Sequence, residues 1–260
     1  KLLKTLVKDS TYFSSAKYNP TGNTILSTSS SEANPYIWDA NSGLITDTLL
    51  GHSSWVNTAE FNGSGNLILT SSDDSTAKIW DTISYKVITT LSGHNGDVVS
   101  AVFSPDENWI LTASKDSTAK VWDANTGLEV FELSGHKDQL ENAFFSYDGE
   151  KIITTTWNGS VHLWNANDGR SLGFLDWGVY GEVSAHFTND NKILITTKAN
   201  TVGVFDLVTN KQLYSFIGHD SEILISEVCQ DKGLLYTSGR DNKIRSWNIA
   251  TGKQVNEFIG

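Results

Sequence analysis

A large aromatic recurs along this chain at an almost constant interval. Trp38, Trp80, Trp122, Trp164, Phe205 and Trp247 are separated by 42, 42, 42, 41 and 42 residues. Each is followed by Asp or Asn: Asp39, Asp81, Asp123, Asn165, Asp206 and Asn248. A Gly-His pair precedes four of the units, at His52, His94, His136 and His219. A period of this length restricts the chain to folds in which one small supersecondary unit is stacked many times over. All 260 residues are taken up by that pattern and form one domain.

Within a period, the second repeat shows four short β-favouring runs: Val56–Phe61, Leu67–Ser71, Thr76–Trp80 and Val87–Leu91. Turn residues separate them, Asn62-Gly63-Ser64-Gly65 and Ser72-Asp73-Asp74-Ser75 among them. β-branched and aromatic runs between such turns read as strands. No segment carries a helical period. Four strands per unit at this spacing predict an all-β propeller. Gly51-His52 through Trp80-Asp81, and Gly93-His94 through Trp122-Asp123, resemble WD40 repeats.

The resemblance implies a hydrogen-bonded tetrad in each blade. The sets are His52, Thr70, Asp74 and Trp80; His94, Thr112, Asp116 and Trp122; His136, Thr154, Asn158 and Trp164; and His219, Thr237, Asp241 and Trp247. A buried polar network of this kind is tolerated only when every member is satisfied. Two repeats depart: Asp9 stands in the His position of the first, whose turn Ser31–Pro35 carries an extra residue. Gly178 stands there in the fifth, after Trp177, with Asn200 in the turn and Phe205 for Trp. Both tetrads are expected to be broken.

His, Asp and a hydroxyl together invite comparison with a hydrolase triad. A catalytic triad occurs once, whereas this set recurs, and its hydroxyl is a strand Thr without a nucleophile elbow. Asp39-Ala40-Asn41-Ser42-Gly43 and Asp123-Ala124-Asn125-Thr126-Gly127 open like calcium loops, but Leu50 and Ser134 stand where the closing Glu belongs, so both are read as turns. His162 and His186 have no second ligand at metal spacing and are read as strand residues, so neither metal nor cofactor is expected. The Asn62-Gly63-Ser64 and Asn158-Gly159-Ser160 sequons coincide with repeat turns and are read as accidental.

The net charge of -11 disfavours nucleic acid and favours a partner with a basic surface. No apolar run approaches the roughly 20 residues that cross a bilayer. Cys229 is the single cysteine, which points to a reducing compartment and hence the cytoplasm. Residue 1 is Lys and the chain holds no Met, so the natural start is expected upstream.

Ligands of WD40 propellers commonly sit on the top face, and the resemblance implies three positions per repeat that project there. The third residue after the His gives Tyr12, Trp55, Asp97, Gln139, Gly181 and Glu222. The fifth gives Ser14, Asn57, Val99, Glu141, Val183 and Leu224. The residue before the turn Asp gives Ser31, Asp73, Lys115, Trp157, Ala199 and Arg240. Tyr12, Trp55 and Trp157 are aromatic anchors among the acids Asp73, Asp97, Glu141 and Glu222 and the bases Lys115 and Arg240, a set that suits a Lys- or Arg-bearing segment. Trp109, at the start of a second strand, is expected on the opposite face.

Leu2–Val7 and Val255–Ile259 both read as outer strands, giving seven outer strands to six inner triplets. The expectation is a slice of a seven-bladed or longer array, with a closed six-bladed ring as the alternative. The expected function is a non-catalytic interaction scaffold or sensor within a larger polypeptide or complex. The rivals are a hydrolase or lyase with its site in a central channel, and a structural spacer of a larger signalling protein.

Overall fold

The computed structural model describes residues 6–8, 11–29, 32–175, 183–188, 192–197, 201–206, 209 and 211–259. They form six four-stranded antiparallel sheets, each built from four consecutive strands, so the protein is an all-β chain of propeller blades. In the first two sheets the strands are β1 (Phe13–Tyr18), β2 (Thr24–Ser29), β3 (Tyr36–Asp39) and β4 (Ile45–Thr48), then β5 (Val56–Phe61), β6 (Leu67–Ser72), β7 (Thr76–Asp81) and β8 (Val87–Ser92). The third and fourth comprise β9 (Val98–Phe103), β10 (Trp109–Ser114), β11 (Ala119–Asp123) and β12 (Glu129–Leu133), then β13 (Leu140–Phe145), β14 (Lys151–Thr156), β15 (Val161–Asn165) and β16 (Ser171–Leu175). The last two comprise β17 (Val183–Phe187), β18 (Lys192–Thr197), β19 (Thr201–Asp206) and β20 (Lys211–Ile217), then β21 (Ile223–Cys229), β22 (Leu234–Gly239), β23 (Lys243–Asn248) and β24 (Gln254–Ile259).

The chain divides into two compact units, Lys1–Ala143 and Phe144–Gly260, with β13 running across the division. In the first unit, Leu26, Ile37 and Leu49 of the first sheet pack on Val56, Ala59, Ile68 and Trp80 of the second. Leu69, Ala77, Ile79 and Leu91 of the second in turn meet Val98, Ala101, Ile110 and Trp122 of the third. The second unit repeats the scheme, with Val202, Val204 and Phe216 against Ile223, Leu235 and Trp247. The second sheet is thus covered on both faces near its middle. Accordingly the second strands β6 and β10 are almost wholly buried, their Ser and Thr residues included, while β8 and β12 stay mostly exposed.

The aromatic that sets the period has a fixed place in the register. In all six sheets the pairing of the third and fourth strands shifts immediately before it, at Ile37/Trp38, Ile79/Trp80, Val121/Trp122, Leu163/Trp164, Val204/Phe205 and Ser246/Trp247. Such a bulge locally deepens the twist of the outer strand. The Gly before His52, His94 and His219 is explained by the same ring: a Cβ on Gly51, Gly93 or Gly218 would lie 3.1, 3.3 or 2.7 Å from the edge of the Trp80, Trp122 or Trp247 indole, whereas Gly135 before His136 has a φ of 123° and no such neighbour.

The strands expected for the second repeat are found within a residue. The outer strand of the first sheet is Ile45–Thr48; just after it Leu49 turns into the core and Leu50 into solvent. Leu2–Val7 falls mostly outside the described residues, and its described members, Leu6 and Val7, are not in a strand. Six outer strands, not seven, are therefore seen among the described residues.

Candidate partner-binding face

Side-chain chains of hydrogen bonds run through the second, third and sixth sheets. In the second, His52 Nδ1 lies 2.8 Å from Asp74 Oδ2 and Nε2 lies 2.7 Å from Thr70 Oγ1, while the Trp80 indole N–H donates to Thr70 Oγ1 at 2.9 Å. His94, Asp116, Thr112 and Trp122 repeat the arrangement at 2.9, 2.8 and 2.9 Å. Every proton is placed by a neutral imidazole: Nδ1–H donates to the carboxylate, and Nε2 accepts the Thr hydroxyl. Burial holds the pKa of His52 and His94 below the usual imidazole range, against the pull of their aspartates.

Burial alone would raise the Asp74 carboxyl. Hydrogen bonds from Thr76, His52 and the Ser53 backbone outweigh it and hold the group low. At Asp116 the same balance, with Thr118, the Asn95 N–H and His94 as donors, brings the pKa down to about 2.

In the sixth sheet His219 contacts Asp241 at 3.0 Å and Thr237 at 2.8 Å, and Trp247 donates to Thr237 at 2.8 Å. A buried Arg245 is added there: Nη1 donates to Asp241 Oδ2 at 2.7 Å and Nη2 pairs with Glu257 at 2.9 Å. Burial of Asp241 is outweighed by Arg245 and His219, and its carboxyl is held far below the ordinary range.

The fourth sheet differs. Trp164 donates to Thr154 at 2.8 Å, but the Asn158 amide oxygen accepts from Thr156 and Ser160 of its own turn, and His136 is only half-buried. The first sheet keeps one link, Trp38 to Ser27 at 2.8 Å. In the fifth, the apolar Phe205 is buried where the other repeats have Trp. Asp9, Trp177, Gly178 and Asn200 lie outside the described residues.

The other sequence candidates are also placed. Asp39 and Asp123 each accept from backbone N–H groups of their own turns, Ser42 and Thr126 respectively, as turn residues do. Asn62 is buried and its amide donates to Ser64, Asn66 and Glu107, which explains its place in the turn without a glycan.

The loop end of the blades carries the proposed contact positions. In the first unit Trp55 is 57% exposed and Tyr12 77% exposed. Asp73 N donates to Trp55 O at 2.9 Å, which sets these two residues side by side, and Lys115 N donates to Asp97 O in the same way. The Asp73 carboxylate accepts from Asn57 Nδ2 at 2.7 Å, and that amide also reaches Val98 O of the next sheet at 2.9 Å. In the second unit Trp157 is 61% exposed, and Arg240 N donates to Glu222 O.

Two features were not read from the sequence. Ser14, Asn57, Val99 and Leu224 are each the extra residue of a bulge between the first and second strands of their sheets, so the backbone itself turns these side chains out of the ladder. And the acids are not all available to a partner. Lys115 pairs with Asp97 at 2.8 Å and Arg240 with Glu222 at 3.0 Å, so each base neutralises an acid of its own blade. Glu141, in β13, is half-buried, and Gln139, just before that strand, is exposed. Ser31, Gly181 and Ala199 lie outside the described residues, as does the side chain of Val183. Trp109 is partly exposed at the start of β10, its backbone N–H donating to Ser104 Oγ.

Four segments, residues 43–81, 85–123, 127–165 and 210–248, match the family model described as WD domain, G-beta repeat, and together cover more than half of the chain. The chain belongs to the WD40 repeat family. The matched WD40 segments omit the first and fifth repeats, the two without a Gly-His pair, although both fold into the same four-stranded sheet. Among curated relatives, the chain is 37% identical over 59 residues to nuclear distribution protein PAC1 of Arthroderma benhamiae, which is 23% of this chain and 13% of that protein. It is 34% identical over 59 residues to the WD repeat-containing protein 91 homolog of Dictyostelium discoideum, 22% of this chain and 8% of that protein. The match thus spans a small part of either relative. No helix among the described residues is long and apolar enough to cross a membrane.

Proposed function

We propose that this WD40 chain is a non-catalytic scaffold, working in the cytoplasm within a larger polypeptide or complex, that holds a partner protein on the face carrying Trp55. The observation that carries the reading is Trp55 itself. A large aromatic stands exposed at a position whose backbone is bonded to that of Asp73, and where neither the tetrad nor the core uses it. Aromatic residues dominate interface hot spots. A Lys- or Arg-bearing segment is the partner chemistry that such a site suits, by cation–π contact with the indole and pairing with Asp73, and the net charge of -11 favours its approach. The WD40 relatives named above are consistent with interaction roles in general and leave the partner open.

The tetrads support the non-catalytic half of the reading. Thr70 and Thr112 are buried, and each hydroxyl oxygen is already bonded to a His and to an indole N–H. No substrate carbonyl reaches such an oxygen, so the set that resembles a triad acts as a weld between strands. The test is affinity for a partner captured by the full-length protein. Trp55→Ala is expected to lose about 2 kcal/mol or more of binding with an unchanged melting temperature. Unchanged affinity would remove Trp55 as the anchor.

A further inference from the structure

The loop-end acids are held in two different ways. In the third and sixth sheets a base of the same blade takes up the carboxylate, Lys115 on Asp97 and Arg240 on Glu222. In the second sheet the holder is an amide. Asn57 Nδ2 donates to Asp73 Oδ1 at 2.7 Å and to Val98 O of the third sheet at 2.9 Å, so both of its protons are engaged. The amide fixes the carboxylate without cancelling its charge.

What remains at this junction is a set of acceptors. Among the described residues, no donor reaches Asn57 Oδ1, Asp73 Oδ2 or Asp97 Oδ1. Lys115 Nζ is engaged on Asp97 Oδ2 at 2.8 Å. Its pKa is raised, first by that hydrogen bond, against burial, and then by the charges of Asp97 and Asp73, so the two acids share one electrostatic neighbourhood. Trp55 adds an exposed indole, and its carbonyl accepts from Asp73 N at 2.9 Å.

The fold does not call for an amide at position 57. Asn57 is the extra residue of a bulge, and Val99 and Leu224 stand at the same point of the third and sixth sheets. The bond to Val98 O fixes the acceptors before any ligand arrives, so little ordering is lost on binding. A group that suits them carries several donors in one plane and a delocalised positive charge. A guanidinium does so and stacks on aromatic faces, whereas an ammonium is a compact, strongly hydrated point charge.

We propose that the junction of the second and third sheets recognises an arginine side chain in preference to lysine. Asn57 is the positioning residue that holds Asp73 toward the guanidinium, and Trp55 lies against the plane of that group. The inference rests on the reading of Trp55 as the partner's anchor and narrows the chemistry of what it holds.

The probes are the capped peptide acetyl-Gly-Arg-Gly-amide and its lysine and citrulline counterparts. Each is titrated into the 260-residue chain, and the NMR signals of the Trp55 indole N–H and the Asn57 side-chain amide are followed. The arginine peptide is expected to move both signals and to bind on the order of fivefold more tightly than the lysine peptide. The citrulline peptide, which lacks the charge, should bind least. Asn57→Leu should bring the arginine-to-lysine ratio close to one while the backbone amide spectrum of the sheets is preserved. A role confined to tying the two sheets together would alter the melt and leave the ratio as it was. Equal affinities for the arginine and lysine peptides overturn the inference, as does a ratio that survives Asn57→Leu or an arginine peptide that leaves the Trp55 signal unmoved. Those results are distinct from failure of the anchor, which is read from the captured partner's affinity for Trp55→Ala.

Discussion

At the residue scale the decisive groups are the buried carboxylates. Asp74 accepts from the His52 ring, the Ser53 N–H and the Thr76 hydroxyl. Removing it strands buried donors, which costs about 1–3 kcal/mol. Asp74→Ala and Asp116→Ala are therefore expected to lower the melting temperature clearly, while Asp47→Ala, at an exposed outer-strand position, should be nearly silent. Equal losses in all three would remove the tetrads from the account of stability. The pH dependence has a definite sign. His52 and His94 have folded pKa values below the ordinary imidazole value, so stability is full above about 6.5 and falls as the unfolded imidazoles take up protons. The aspartates extend the loss: their stabilisation is complete above the unfolded carboxyl value and disappears as pH drops toward the folded value of about 2 at Asp116. Unfolding by denaturant from pH 8 to pH 2 should show two successive declines, and a flat profile between pH 7 and 5 would contradict the neutral buried histidines.

At the element scale, much of the fold was legible and some of its fastening was not. The strands of the second repeat could be read because β-branched runs alternate with Asn, Gly and Asp turns. The inner bulges at Ser14, Asn57, Val99 and Leu224 could not, since no glycine marks them. Nor could the pairing of Asp97 with Lys115, which depends on where two side chains 18 positions apart come to rest. Glu107 is the sharpest case. It has a φ of 61° in a turn where the first, second and fourth sheets place Gly22, Gly65 and Gly149. A left-handed residue with a side chain is strained by roughly 1 kcal/mol or more. Here the carboxylate reaches the neighbouring turn, accepting from Asn62 Nδ2 at 2.8 Å and Ser64 N at 2.9 Å. Charge-assisted bonds of this kind outweigh that strain. Glu107→Gly should thus destabilise by about 1 kcal/mol, although glycine suits the backbone better. A stabilised variant would show that the clasp contributes nothing.

At the scale of the whole molecule, the repeats supply rigid blades and leave the loop ends free to vary, so the binding claim rests on those ends. Charge reversal at Asp73 should slow association with a Lys- or Arg-bearing partner and flatten its salt dependence, whereas reversal at Asp97 also releases Lys115 and should act less simply. The tetrads, spaced by the repeat, could be read from the sequence almost residue by residue. The proposed contact face stood in the sequence only as a set of candidate positions, because which acids remain available depends on ion pairs within each blade. The most direct test is amide exchange of the full-length protein with its captured partner bound. Protection is predicted at Trp55–Asn57, Asp73, Asp97–Val99 and Lys115, with β8 and β12 unchanged. Protection confined to Trp109 and the opposite ends of the strands would contradict the account.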